Sequence, residues 1–222
     1  MARGQVYLVP LPVVLGHEGA GVVEAAGSAV QKVQPGDHVA VRFLACGRCR
    51  PNLDGSSASC ANFNAMNFAG RRQDGSHALA LSDGDAPSDR FFGQSSFAGN
   101  AIAHESNAVK VRKDAPLELV APLGCGIQTG AGTVLRALKV TVGSSFAVTG
   151  AGAVGLSAVM AARVAGATTV IAVDMVPSRS ELALELGATH TVSGKELDAV
   201  SEIQRITGEG VDFALEPPAC PH

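Results

Sequence analysis

The run VTGAGAVGLSA, Val148 to Ala158, restricts the fold of this chain more than any other stretch. Gly150, Gly152 and Gly155 stand in G-x-G-x-x-G spacing, directly after an apolar strand pattern and directly before an Ala-rich helical one. In that setting the first glycine permits a tight turn, the second lets backbone approach a pyrophosphate, and the third lets helix and strand pack closely. The N–H groups about Ala153 and Val154 then lie at the positive end of a helix, which favours a bound phosphate. Nineteen residues beyond Gly155, Asp174 closes the next strand pattern, TTVIAVD. A carboxylate there accepts hydrogen bonds from an adenosine ribose and repels the additional phosphate of NADP, so the pattern points to NAD. Asp174 also reads as an N-cap for the helix written in PSRSELALELG, a place that Ser178 can fill instead. Arg179 either lines the same ribose or stands as a solvated helix residue.

From Ser144 onward, strand patterns alternate with helical ones: SSFAVTG, AVGLSAVMAARVAG, TTVIAVD, PSRSELALELG, THTVSG, ELDAVSEIQRITG and VDFALE. Four strands separated by three helices predict a parallel sheet with right-handed crossovers. Before about residue 115 the text changes to short strands with Pro-Gly and Asp-Gly punctuation, as in GAGVVEAAG, QPGDHVAVRF and NAIAHESNAVKV, which predicts a β-rich unit. Leu117 to Leu138 is loosely helical and interrupted by glycines. The chain is therefore α/β, with expected domains at 1–126 and 127–222. The strand pattern stops after its fourth member, where a doubly wound dinucleotide sheet has about six. The ending EPPACPH continues no such pattern, so the chain is expected to be shortened at that end.

Composition narrows the function classes. Net charge is -3 and no Lys/Arg run exceeds Arg71-Arg72, so no nucleic-acid footprint is expected. Hydrophobic content of 46% with only 4% aromatics suits tightly packed α/β layers. Val140 to Ala162 is 23 residues without a charge, long enough for a bilayer, but the glycines at its centre divide it into a strand half and a helix half. Gln5 to Leu15 is apolar, yet Pro10 and Pro12 interrupt it and His17-Glu18 follow at once, against a secretory signal. A cytoplasmic location follows as the expectation. Five cysteines without such a signal are expected to be reduced, and Cys46-x-x-Cys49 with Cys60 in CGRCRPNLDGSSASC then reads as a metal lobe rather than a disulfide framework.

The segment GHEGAGVVEAAGSAV carries the most specific match to a known family. Gly16, His17, Glu18, Gly21, Gly27 and Val30 fit the signature G-H-E-x-x-G-x(5)-[GA]-x-x-[IVSAC] of the zinc-dependent medium-chain alcohol dehydrogenases. VQPGDHVAV, the cysteine-rich lobe, PLGCGIQTGAG and the glycine turn follow in that family's order, so the resemblance covers essentially the whole chain. FFGQSSFA and LGCGIQTGAG are similar to its aryl- or benzyl-alcohol branch. The resemblance implies a GroES-like catalytic domain before an incomplete Rossmann domain, with zinc and NAD as cofactors. It implies NAD-linked oxidation of a primary alcohol, aryl or benzyl in this branch, to the aldehyde.

By the same resemblance, His17 and Cys125 hold the catalytic zinc with Glu18 adjacent, and Thr129 contacts the nicotinamide side. The family's further zinc-ligating Cys lies well before the His, and only 16 residues precede His17 here; the N-terminus is therefore expected to be shortened too. In the family the structural lobe supplies cysteines at offsets 0, 3, 6 and 14. Cys46, Cys49 and Cys60 fill three of these, and Asn52 stands at the remaining one, with Asp54 two residues on as an alternative oxygen ligand. Little turnover of benzyl alcohol is expected from this chain alone. The competing expectations are a non-catalytic remnant that binds NAD or zinc, and a zinc-free reductase of the quinone-reductase type. The partners expected are a small alcohol or aldehyde, with no nucleic acid and no membrane, and a homo-oligomer for an intact relative.

Overall fold

The computed structural model describes residues 9–195 and 198–216. The tail from Pro217 to His222, and the first residues of the apolar N-terminal stretch, lie outside the described residues. The chain forms two compact units, Met1–Cys125 and Gly126–His222.

In the first unit, β1 (Gly19–Val22), β2 (His38–Val41) and β3 (Ala108–Lys110) make an antiparallel sheet in that order. The turn into β2 is written Gln34-Pro35-Gly36-Asp37, and Asp37 closes it by accepting the Gln34 N–H at 2.9 Å. Lys110 on β3 reaches the same carboxylate at 2.7 Å, so one buried aspartate joins the turn to the far strand. Two short helices, α1 (Arg50–Leu53) and α2 (Phe63–Phe68), belong to the segment that follows β2. Asn67 on α2 is fully buried and binds both the N–H and the carbonyl of Leu44, which docks the helix against the chain leaving the sheet. Its amide is satisfied on every side that the interior leaves dry, which is the condition for burying one. After β3 the chain passes through α3 (Leu117–Val120) and a 3-10 turn, Ala121–Gly124, to Cys125.

The second unit opens with α4 (Gly126–Gly132), which continues as a π-helical turn over Thr133–Leu138, the broken helical connector expected from its glycines. Then β4 (Ser145–Thr149), α5 (Ala153–Val164), β5 (Thr169–Asp174), α6 (Pro177–Glu185), β6 (His190–Ser193), α7 (Ala199–Thr207) and β7 (Phe213–Leu215) alternate as the sequence pattern predicts. The four strands pair in parallel in the order β6-β5-β4-β7. Side-chain alternation sends Phe146, Val148, Val170 and Ala172 into one core and Ala147, Ile171 and Val173 into another. Both faces of the sheet are thereby buried, the usual condition for parallel strands. Val140–Ala162 is strand, turn and helix, and no described helix is long and apolar enough to cross a membrane.

Candidate functional site

The residues of GHE sit on the chain entering β1, held by a segment far along the sequence. Gly16 and Leu15 accept backbone N–H bonds from Ser96 and Phe97 at 3.0 Å each. Gln94, only 2% exposed, spans the turn: its Nε2 donates to the His17 carbonyl at 2.9 Å and its Oε1 accepts the Gly19 N–H at 3.2 Å. One amide thus clamps the backbone on both sides of Glu18. The His17 ring stacks on Phe92 with centroids 4.7 Å apart and meets the edge of Phe91 at 5.6 Å.

Cys125 reaches the same place by a close backbone approach. A Cβ on Gly124 would stand 2.4 Å from the Val41 carbonyl oxygen, so only glycine lets the 3-10 turn lie against β2 there. One ligand atom from each of His17, Glu18 and Cys125 then falls within 4.8 Å of the others. Partial burial pushes the Cys125 thiol above its ordinary pKa, and the nearby Glu18 carboxylate adds to that shift. An imidazole, a thiol and a carboxylate converge here, and two of them carry mutually repelling charge when ionised. A divalent cation relieves that repulsion, and the N, S and O donors are those zinc takes. The donor set therefore fits zinc.

An aromatic group extends from the rings that touch the histidine. Phe92 contacts Phe91, Phe68 and Phe63 at 4.9, 5.1 and 6.2 Å between centroids, and Phe63 contacts Phe43 at 5.4 Å. Phe92 has φ of 51°, a left-handed backbone in which a bulky residue is strained. The sequence pattern marks neither this cluster nor Gln94 beyond the resemblance carried by FFGQSSFA. The only signal was a lone glutamine among small and aromatic residues.

In the second lobe the sulfurs of Cys46, Cys49 and Cys60 also lie within 4.8 Å of one another. Backbone N–H groups of Arg48 and Cys49 pull the Cys46 thiol down to about 6. Those of Ala61 and Asn52 hold Cys49 below its ordinary value too. Asp54 is not one of the converging groups; its carboxylate accepts from Arg50 Nε at 2.8 Å.

The second unit carries the glycine turn. Gly150 has φ of 88°, and a Cβ on Gly155 would lie 1.8 Å from the Gly150 carbonyl oxygen, so helix and turn touch directly. At Gly152, the N-cap of α5, a Cβ would meet nothing within 4 Å, which leaves the approach to Ala153 and Val154 open. Asp174 is 8% exposed and braces this turn: Oδ2 accepts the Ala151 N–H at 2.6 Å and Oδ1 accepts the Val176 N–H at 2.8 Å. The N-cap of α6 is Val176, with Pro177 following, so neither Asp174 nor Ser178 caps that helix. Arg179 stands 3.9 Å from Asp174. Asp174, Met175, Pro177, Ser180, Thr191 and Ser193 line a cleft of about 320 Å³. Thr129 lies on α4 and its carbonyl accepts from Thr133 Oγ1 at 2.8 Å.

Comparison with known proteins finds relatives across both units. The family profile described as alcohol dehydrogenase GroES-like domain matches residues 1–113, and that described as zinc-binding dehydrogenase matches 153–221. A probable alcohol dehydrogenase of Pseudomonas sp is 48% identical over 212 residues, covering 93% of this chain and 66% of the relative. Geraniol dehydrogenase of Castellaniella defragrans is 46% identical over 217 residues, covering 97% and 58%. The crystal structure of benzyl alcohol dehydrogenase from Acinetobacter calcoaceticus superposes with a TM-score of 0.90 at 53% identity, covering 99% of this chain and 59% of that one. The chain thus spans between 58% and 66% of the length of the curated relatives it matches.

Proposed function

From a chain that belongs to the zinc-binding, GroES-like alcohol dehydrogenase family, we propose a part in the NAD-linked oxidation of a primary alcohol bearing an aromatic ring to its aldehyde. The observation that carries this reading is the His17 imidazole, stacked on Phe92 while its ligand atom lies within 4.8 Å of those of Glu18 and Cys125. A metal-binding group and an aromatic wall share one side chain. The same convergence weighs against the zinc-free reading.

His17, Cys125 and Glu18 are the residues that would hold zinc. When bound, zinc supplies Lewis acidity toward an alcohol oxygen, and NAD supplies the hydride acceptor. The chain's own residues aim and shelter these groups. Gln94 fixes the His17 backbone, and stacking on Phe92 orients the ring, so the imidazole would be pre-positioned to hold an ion. Phe43, Phe63, Phe68 and Phe92 exclude water, and a flat aryl ring gains stacking contacts there of about 0.5–1.5 kcal/mol per pair. In the second unit, the N–H groups at the start of α5 would hold the pyrophosphate, beside the open side of Gly152. Each Asp174 oxygen spends one lone pair on the turn and keeps another for a ribose hydroxyl. Arg179 and Thr129 complete the proposed nucleotide contacts. A soluble cytoplasmic setting and self-association are part of the same reading.

The test is the ratio of NADH formed from benzyl alcohol to that from ethanol in zinc-supplemented protein, together with zinc content. A ratio well above one is expected, with zinc lost from His17→Ala and Cys125→Ser. Equal rates on the two alcohols would overturn the aryl preference. Zinc retained at full stoichiometry in the double variant would overturn the site.

A further inference from the structure

The lobe at residues 46–60 brings together three sulfurs, and the side chain at its fourth corner faces them with the wrong atom for a metal ligand. Cys49 and Cys60 Sγ are 3.9 Å apart, with Cys46 Sγ within 4.8 Å of both. Asn52 Nδ2 stands 2.9 Å from Cys49 Sγ and 3.9 Å from Cys46 Sγ. That orientation is held from the other side, because Oδ1 accepts the Gly47 N–H at 3.2 Å. A carboxamide ligates through its oxygen, while its NH2 group offers only positive hydrogens. Asn52 as placed is therefore a donor to sulfur. Asp54, the carboxylate of the lobe, is paired with Arg50.

Structural zinc almost always takes four ligands in a tetrahedron. Here the Asn52 NH2 group stands at the fourth corner, so a donor faces the sulfurs where a tetrahedral zinc would need a ligand. Soft thiolate sets select copper(I) as readily as zinc. A monovalent ion among three thiolates leaves more negative charge on sulfur than a divalent one, and the donors are arranged to meet it. Asn52 bonds Cys49, and the Cys46 N–H bonds Cys60 Sγ at 3.4 Å. We propose that Cys46, Cys49 and Cys60 form a three-thiolate site for a soft monovalent cation, copper(I), with Asn52 a hydrogen-bond donor to the bound sulfurs and not a ligand. This site is separate from the His17 cluster, and its failure leaves the alcohol-oxidation reading untouched.

The experiment uses the full chain carrying Cys125→Ser, so that the His17 cluster lacks its thiolate. Reduced protein is titrated anaerobically with copper(I) and zinc(II), each against a chromophoric chelator. One copper(I) per chain is expected, with thiolate-to-copper charge-transfer absorption and displacement of zinc by equimolar copper(I). Asn52→Ala should keep that stoichiometry and weaken the site by about 10-fold, the scale of losing a bond to a ligand. Asn52→Cys, by restoring a tetrahedron, should move the competition toward zinc by at least about 10-fold. Zinc held as firmly by the parent as by Asn52→Cys would overturn the proposal, as would failure to bind copper(I). If Asn52→Cys does not fold by circular dichroism, Asn52→Ala decides alone: complete loss of metal would make Asn52 a ligand and sink the idea.

Discussion

Gly155 lies directly beneath the Gly150 carbonyl, so close that a Cβ on Gly155 would stand 1.8 Å from the oxygen. Two glycines of one turn are thus constrained by each other, while Gly152 between them faces open space. The pair separates a folding role from a binding role. Gly155→Ala should destabilise the second unit by about 1–3 kcal/mol, as overpacking does, measured by urea denaturation. Gly152→Ala should leave the melt unchanged and weaken NADH binding, read by fluorescence. Equal melts for both variants would contradict the packing argument.

Phe92 supports both the His17 ring and the aromatic wall. Removing its ring forfeits stacking of about 0.5–1.5 kcal/mol per aromatic partner. Phe92→Ala should therefore lower kcat/KM for benzyl alcohol relative to ethanol by roughly 2- to 10-fold. A variant that lost both alcohols in the same proportion would show that the wall does not select the substrate.

Gln94 is buried, and its amide is spent on the backbone around Glu18. Gln94→Leu fills a similar volume and leaves a carbonyl and an N–H without their partner, at a cost of about 1–3 kcal/mol in unfolding free energy. Zinc affinity should fall alongside, because the His17 backbone is no longer held. Retention of wild-type zinc affinity in a folded variant would refute the clamp.

Asp212 ties the start of β7 to the start of β4. Its carboxylate accepts the Ser145 N–H and Oγ–H at 2.7 Å each, and these bonds hold its pKa below the ordinary aspartate value. A carboxyl lowered by folding stabilises the native state above its unfolded pKa of about 3.9 and loses that contribution as pH falls through the lower folded value. Asp212→Asn should be less stable than wild type at neutral pH and converge with it below about pH 4. Parallel stability curves from pH 7 downward would show that the clamp contributes nothing.

The second unit was legible because its information is local. Strand and helix periods, and a glycine turn between them, are written within a few residues of one another, and the fold follows the pattern from β4 to β7. Asp174 ends β5, as the strand pattern predicts, but the Ala151 N–H it accepts lies 23 residues away and carries no sequence signal. The same holds more strongly for the first unit. Gln94 is 77 residues from the His17 carbonyl it binds, and the phenylalanines of the aromatic group come from three separate stretches, at 43, 63–68 and 91–92. Family spacing marked Asn52 as a substituted ligand; only the Gly47 N–H on its oxygen reveals which atom faces the sulfurs.

The segment from Phe91 to Phe97 supplies the aromatic wall through Phe91 and Phe92, the clamp through Gln94, and the backbone pairing of residues 15 and 16 through Ser96 and Phe97. Seven consecutive residues thus supply both the ring contacts and the hydrogen bonds that fix the His17 turn. Under the proposed reading, rewriting this loop to suit a differently shaped alcohol would also shift the histidine, so selectivity and metal retention would have to be engineered jointly, with Gln94, Ser96 and Phe97 kept as fixed points while the aromatic positions vary.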